Sequence, residues 1–535
     1  MTFMSRLRYT KTKQRVTVPE IVLEPNIRRD SAIVLEPSKM DTAVADAVFK
    51  DLKEKTCDDW KKEAEKTSLD VFRKAAHEVP AYNDFLIKNK VNPDDINTIE
   101  DFKKIPSISK KDYLRVYKSK DLHWNGTLHV PLVFTSTSGS TGEPFYFSRQ
   151  ENLDWQTSII HELFFNNGDP KKSTLVIIGF GMGVWIGGTI TFRAYEILGH
   201  RRNYPIAILP TGINKKEIFN ALRNLAPNFE QTILIGYPPF IKDIVDEASE
   251  WEVDLKKLNV RMTFAAEAFT EKFRDYLAKK VGMKNPCLDT MNIYGTADIG
   301  SVAFETPLSI LIRRIAIKKP DLFKDIFSDI PKTPTLAQYL PQFINIESVN
   351  GEILLTGNNS VPLVRYAVGD HGGVYTHDEL MARLEKHGVK INEEIEKAGI
   401  AGTISKLPFA FVYERNDMST TLYGLQIYPE TIREILIKSP FSKYFTGKFT
   451  LMTKFDGNQD QYLEINLEQK KNVKASKLIQ SRLQNKIIKN LLEKNSEYRE
   501  LHRFLADRAH PKLVLWPAED PLYFKPGVKQ AWVKK

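Results

Sequence analysis

Beyond residue 130 the chain alternates short runs of β-branched and apolar residues with longer stretches of mixed polarity. The runs are Leu175-Val-Ile-Ile178, Ile206-Ala-Ile-Leu209, Thr232-Ile-Leu-Ile235, Met262-Thr-Phe264 and Met291-Asn-Ile-Tyr294. Helix-like segments, such as residues 216–225 and 240–248, lie between them. Strands that alternate with helices predict an α/β fold with a largely parallel sheet, because parallel neighbours need a crossover between them. Residues 352–366 read as strands again, and residues 378–397 as a charged helical stretch. Upstream, residues 41–125 read as helical and charged, with a break at Val79-Pro80, where proline should end a helix near His77. Residues 1–40 read as an extended polar arm, since Pro25 and Pro37 disfavour helix just before them. After Arg415 the order is strand, helix, strand, then a long basic helical stretch.

Length turns this pattern into domains. A chain of 535 residues exceeds one ordinary core. We divide it into an N-terminal arm and helix (1–60), a large domain (61–416) and a small mobile C-terminal domain (417–535). Hydrophobic residues at 42% and charged residues at 27% are the mix of a soluble globular protein, and no apolar run reaches membrane-span length. No apolar stretch or small-residue cleavage site follows the charged N-terminus, so a cytoplasmic location is expected. The two cysteines, Cys57 and Cys287, form no CxxC pair and the ten histidines show no HxxxH spacing, which argues against a zinc site or a disulfide scaffold. The net charge of +10 is concentrated at the two ends. Without a nucleic-acid motif beside it, this charge reads as solvated helix surface plus a site for a polyanionic cofactor, not as a nucleic-acid interface.

The most informative chemistry lies in Thr135-Ser-Thr-Ser-Gly139-Ser-Thr-Gly142, where two glycines and six hydroxyl residues occupy eight positions after an apolar run. Glycines free backbone N–H groups to face phosphate oxygens, and hydroxyls add donors. A flexible hydroxyl-rich turn is the alternative. The GxxxxGK[ST] spacing is absent. Gly179-Phe-Gly181-Met-Gly183 follows a strand, but Val184 stands where a dinucleotide turn needs its third glycine, and no acid ends the next strand.

Taken with its neighbours, the loop resembles that of the adenylate-forming superfamily, and the chain resembles most the phenylacetate–CoA ligase family within it. His77-Glu-Val-Pro80-Ala-Tyr82 and Ile105-Pro-Ser-Ile-Ser-Lys110-Lys-Asp112 are similar to that family's N-terminal signature. Ala266-Glu267-Ala-Phe-Thr-Glu271, Tyr294-Gly295-Thr-Ala-Asp298, Gly351-Glu-Ile-Leu-Leu-Thr356, Arg365-Tyr-Ala-Val-Gly369-Asp370 and Gly424-Leu-Gln-Ile-Tyr-Pro429 follow in the family's order. The resemblance implies a large adenylate-forming domain with mixed sheets and flanking helices, plus a small α+β domain. It implies activation of a small-molecule carboxylic acid by ATP and Mg²⁺ to an acyl-adenylate, then transfer to coenzyme A. A carrier-protein thiol or an amine as acceptor, and a nucleotide-binding homologue without turnover, remain open.

The resemblance also assigns residues. Thr137, Ser138, Gly139, Ser140, Thr141 and Gly142 would hold the β- and γ-phosphates. Asp298 would hold Mg²⁺, Thr296 would lie near the α-phosphate, and Glu267 and Gly295 beside the nucleotide. Tyr294 would stack on adenine, Asp370 would accept the ribose hydroxyls, and Arg415 would reach a phosphate or the ribose. Asp417 would be the hinge. Lys529, with Lys525 as the alternative, would bridge carboxylate and α-phosphate. Trp185, Gly187, Gly188 and Tyr237 would line the acyl pocket, with Trp185 and Phe180 suggesting an apolar or aromatic guest. The chain departs from the pattern at Asp298 (for Glu), Ala367-Val368 (for Arg-Thr), Glu414 (for Gly) and Thr306 (for Cys). It also carries extra segments at about residues 308–342 and 377–400.

Overall fold

The structure, a computed structural model, describes residues 39–136, 145–327, 333–413, 420–427, 429–436, 438–524 and 533. The N-terminal arm falls outside these residues. Among the described residues no helix is long and apolar enough to cross a membrane.

The five predicted runs form one side of a large sheet, in the order Ile206–Leu209, Thr174–Gly179, Gln231–Gly236, Val260–Ala265 and Thr290–Thr296, each parallel to the next. All six residues of Thr174–Gly179 and of Gln231–Gly236 are buried, which is why these strands read as unbroken apolar runs. Alternation decides which layer each side chain joins. Leu175 and Ile177 pack with Ile218, Ile244 and Leu277 on one face; Val176 and Ile178 pack with Ile159, Phe164 and Leu198 on the other.

The sheet continues, now antiparallel, through Gly300–Phe304, Thr335–Gln338, Phe409–Tyr413, Leu363–Tyr375, Glu352–Gly357 and Ile344–Val349. The sheet is therefore mixed. Its antiparallel half is closed by the helices Cys57–Glu78 and Pro80–Lys88. Pro80 sits at the first position of the second helix, so the first ends at Glu78, beside the predicted break. Residues 41–125 are not helical throughout. Ile108–Ser109 is instead a short strand that pairs in parallel with Tyr366–Ala367, and Asn125, at φ 55°, and Gly126, at φ 61°, turn the chain in the left-handed region.

The two extra segments form one satellite core. Helices Pro307–Ile317 and Pro320–Phe327 meet His377–Lys386 and Ile391–Lys397 through Leu308, Ile312, Leu322, Leu380, Leu384 and Ile395. Fully buried Arg313 ties this unit to the large domain. It pairs with Glu271, and with Glu305 at 3.1 Å, while Arg274 reaches Glu305 at 2.8 Å and Glu271 at 3.0 Å. Burial opposes ionisation of Glu271, but the guanidiniums of Arg274, Arg313 and Arg314 outweigh it and hold its carboxyl down at about 2.

From Leu422 onward a separate core forms around Phe449, Leu451, Ile465, Leu483 and Ile487. It joins the strands Phe445–Phe455, Gln461–Gln469 and Lys512–Trp516 to the helices Pro429–Leu436, Lys477–Lys494 and Ser496–Leu505, an α+β unit. The Asp417 boundary lies outside the described residues.

Removing Arg313 would leave Glu271 and Glu305 short of a cation inside the protein. Arg313→Leu is expected to cost about 3–5 kcal/mol in urea unfolding; a loss under about 1 kcal/mol would show that the remaining arginines suffice.

Candidate active site

The carboxyl ends of the parallel strands open into a cavity of about 380 Å³. Tyr294, Gly295, Thr296, Asp298, Glu267, Asp370, Trp185, Gly187 and Tyr237 all line it. Gly188 does not. It is buried at the start of the helix Ile186–Arg202, where a Cβ would lie 2.3 Å from the Gly181 carbonyl oxygen, so glycine there permits close packing of helix on loop.

Two tyrosine–aspartate hydrogen bonds organise the polar end. Tyr294 and Asp298 flank the turn after one strand, and Tyr366 and Asp370 lie on another, each tyrosine four residues before its aspartate. The pairs exchange partners: Tyr294 Oη donates to Asp370 Oδ2 at 2.6 Å, and Tyr366 Oη donates to Asp298 Oδ2. Asp298 is 3% exposed, and its Oδ1 accepts from Lys110 Nζ at 3.3 Å. Thr296 Oγ1 accepts from the Ile299 N–H at 3.2 Å, which fixes the turn carrying Asp298.

Lys110 belongs to the N-terminal signature, to which the resemblance gives no role in the site. It arrives there because Ile108–Ser109 docks beside Tyr366, and because Ser109 and Asp112 cap the helical turn that Lys110 opens. Arg365 of the neighbouring motif stays out of the cavity. Its guanidinium donates to the Lys103 carbonyl at 2.5 Å, to the Ile105 carbonyl, and to Glu347 at 3.2 Å, clamping the same N-terminal segment to the sheet.

Glu267 faces the small domain. Its carboxylate accepts from the Gly424 N–H, and from Gln461 Nε2 at 3.1 Å. Tyr423 and Gly424, at φ 50° and 81°, form the tip of the hairpin Thr420–Leu422/Leu425–Ile427. Two successive left-handed residues suit a tight two-residue hairpin turn. A Cβ on Gly424 would come within 2.5 Å of the Tyr237 ring, so this glycine meets both a backbone and a steric requirement. Charges flank the contact: Arg508 reaches Asp243 at 3.0 Å and Tyr423 Oη at 2.8 Å, and Lys242 reaches Asp460 at 2.9 Å. Burial pushes the Asp243 carboxyl up, against the pull of Lys215 and Arg508.

Thr137, Ser138, Gly139, Ser140, Thr141 and Gly142, with Arg415, Asp417, Lys525 and Lys529, lie outside the described residues. Ser136, just before the glycine-rich loop, lines the cavity, and its N–H donates to the Val184 carbonyl at 2.8 Å. His161, on the helix Glu151–Asn166, also lines the cavity. Sequence reasoning passed over it, as a lone histidine without metal-ligand spacing.

No protein-family model matches the chain. It is 23% identical over 411 residues to the phenylacetate-coenzyme A ligase of Aromatoleum evansii, covering 74% of this chain and 79% of that one. It superposes on 2-hydroxyisobutyryl-CoA ligase, in complex with 2-HIB-AMP and CoA in the thioesterification state, with a TM-score of 0.61 and 15% identity. That match covers 88% of this chain and 90% of the other. The fold is that of the adenylate-forming CoA ligases. An open conformation of the same ligase, at 14% identity and covering 89% and 91% of the two chains, gives a TM-score of 0.50.

The Arg508 cluster should hold the hairpin tip on Tyr237. Arg508→Glu faces Asp243, Glu247 and Asp460 with a like charge. Small-angle scattering of the variant is expected to show a larger radius of gyration than the wild type at low salt. Superimposable curves would remove the cluster from the closure.

Proposed function

We propose that this chain activates a carboxylic acid with ATP to an acyl-adenylate and pyrophosphate, then transfers the acyl group to the thiol of coenzyme A. The observation that carries the reading is the Tyr294–Asp370 and Tyr366–Asp298 exchange beside a largely apolar cavity, in an adenylate-forming fold. The curated relative is named for ligating phenylacetate to coenzyme A, and the superposed ligase holds an acyl-AMP and CoA.

In this reading Asp370, already oriented by Tyr294, accepts the ribose hydroxyls while the Tyr294 ring lies against adenine. Thr296 lies near the α-phosphate, the Thr137–Gly142 loop holds the β- and γ-phosphates, and Arg415 reaches a phosphate or the ribose. Lys529 bridges the acid's carboxylate and the α-phosphate. That cation offsets the repulsion between two anions which must approach for the new acyl–phosphate bond to form. Glu267 anchors the small domain through Gly424 in the present arrangement, the one closer to the thioester-forming relative.

Among the described residues, no group of three His, Cys, Asp or Glu side chains is placed to hold a metal ion. Asp298 suits Mg²⁺ nonetheless, because that ion is held by one or two carboxylates plus substrate phosphates and water. When bound it would neutralise phosphate charge, with Asp298 as the carboxylate that holds it. Coenzyme A is the acceptor we favour, with a carrier-protein thiol or an amine as alternatives. A cytoplasmic location belongs to the same proposal.

Asp298→Asn is expected to lower acid-dependent ATP–pyrophosphate exchange by roughly 100-fold or more, since an amide binds Mg²⁺ poorly. Unchanged exchange would remove Asp298 from the site. The half-reactions separate the hinge from the lysine. Asp417→Pro fixes φ at the hinge and should keep exchange while losing thioester formation. Lys529→Ala should lose exchange yet still form thioester from a supplied acyl-adenylate. Equal loss of both half-reactions in both folded variants would contradict these two assignments.

A further inference from the structure

The acyl cavity is apolar where Phe180, Ile190, Tyr237 and Phe240 line it, yet three side chains on its wall carry buried polar atoms that no protein group meets. His161 is 1% exposed, and neither Nδ1 nor Nε2 makes a hydrogen bond. Its ring packs against Tyr195 at 4.9 Å between centroids. Trp185 Nε1 and Asn292 Oδ1 are likewise buried and unpartnered. Buried polar atoms without partners are costly and rare in folded proteins, so three around one cavity need a reason.

Resting on the function proposed above, we infer that this pocket selects an acid whose apolar or aromatic body carries an uncharged hydrogen-bonding group, a hydroxyl being the smallest, and that His161 recognises it. The chemistry of the three groups is complementary to such a substituent. Burial pushes the His161 imidazole down to about 3, so near neutral pH it is uncharged and offers one donor and one acceptor. Trp185 adds a donor and Asn292 an acceptor. A hydroxyl both donates and accepts, so it offers a partner to a donor or an acceptor in this set without bringing in charge. A purely apolar acid would leave them unpaired, and a second carboxylate or an ammonium would lose its hydration with no counter-ion among the three. His161 is therefore a specificity residue for the acid and takes no part in bond making.

The test uses the full-length protein and matched acids: phenylacetate with its 2-, 3- and 4-hydroxy derivatives, and octanoate with 8-hydroxyoctanoate. Acid-dependent ATP–pyrophosphate exchange gives kcat/KM for each. At least one hydroxylated acid should exceed its parent by roughly tenfold or more, the discrimination expected when a site's buried polar groups would otherwise stay unpaired. His161→Leu should abolish the difference within that pair, and His161→Gln, which keeps a donor and an acceptor, should retain part of it. Trp185→Phe, which removes only the indole N–H donor, gives a second reading should the leucine variant fail to fold. Parents used as well as every hydroxylated partner, a preference surviving in folded His161→Leu, or, where that variant does not fold, a preference surviving Trp185→Phe, would overturn the inference while leaving the proposed function intact. No exchange with any acid would count against the proposed function and the inference together.

Discussion

The exchange of hydrogen bonds between two tyrosine–aspartate pairs is the constraint on which the site depends. Three strands separate Thr290–Thr296 from Leu363–Tyr375 in the sheet, so no backbone ladder joins them. The side chains do, with Tyr294 donating to Asp370 and Tyr366 to Asp298. A phenol donating to a carboxylate is a charge-assisted bond, stronger and shorter than a neutral one. Each carboxylate is therefore held in one orientation before a ligand arrives, and such pre-organisation is what an electrostatic site requires. The same crossing explains the N-terminal segment. Ile108–Ser109 pairs with the strand carrying Tyr366, and Arg365 clamps residues 103 and 105, which brings Lys110 onto Asp298.

Much of this was legible in the sequence, for identifiable reasons. The parallel strands were readable because burial on both faces makes them continuous apolar runs. Tyr294, Asp298 and Asp370 were readable because their order matched a family pattern; that the tyrosines cross between segments was not, since spacing of four residues says nothing about partners remote in sequence. Residues 41–125 read as helix because charge and length favour it locally. The docking of Ile108–Ser109 on Tyr366 overrides that preference. Of the two extra segments only the second, at about residues 377–400, read as helical; the core it shares with the first through Leu322 and Leu380 joins residues far apart in the chain. His161 carried no signal at all, because one histidine among apolar neighbours looks like core until its nitrogens are seen to lack partners.

The small domain couples to the site by a few well-placed contacts. The Gly424 N–H on Glu267 and the hairpin tip on Tyr237 join the cavity to the small domain. Arg508 and Lys242 add charge pairing around a largely polar seam, the kind of interface that two domains can leave and re-form. A buried apolar seam would fix one arrangement; the proposed pair of half-reactions in one cavity calls for a seam of the other kind. Arg313 does the opposite for the inserted helices, since breaking its pairs with Glu271 and Glu305 would strand charge in the core.

The central claim is that the phosphate attacked is the α-phosphate and that an acyl-AMP is formed. ATP labelled at the α-phosphate, incubated with protein, Mg²⁺ and a mixed pool of carboxylic acids without coenzyme A, tests it directly. The account predicts an acid-dependent labelled acyl-AMP that is converted to free labelled AMP when coenzyme A is added. Labelled ADP as the acid-dependent product would contradict it.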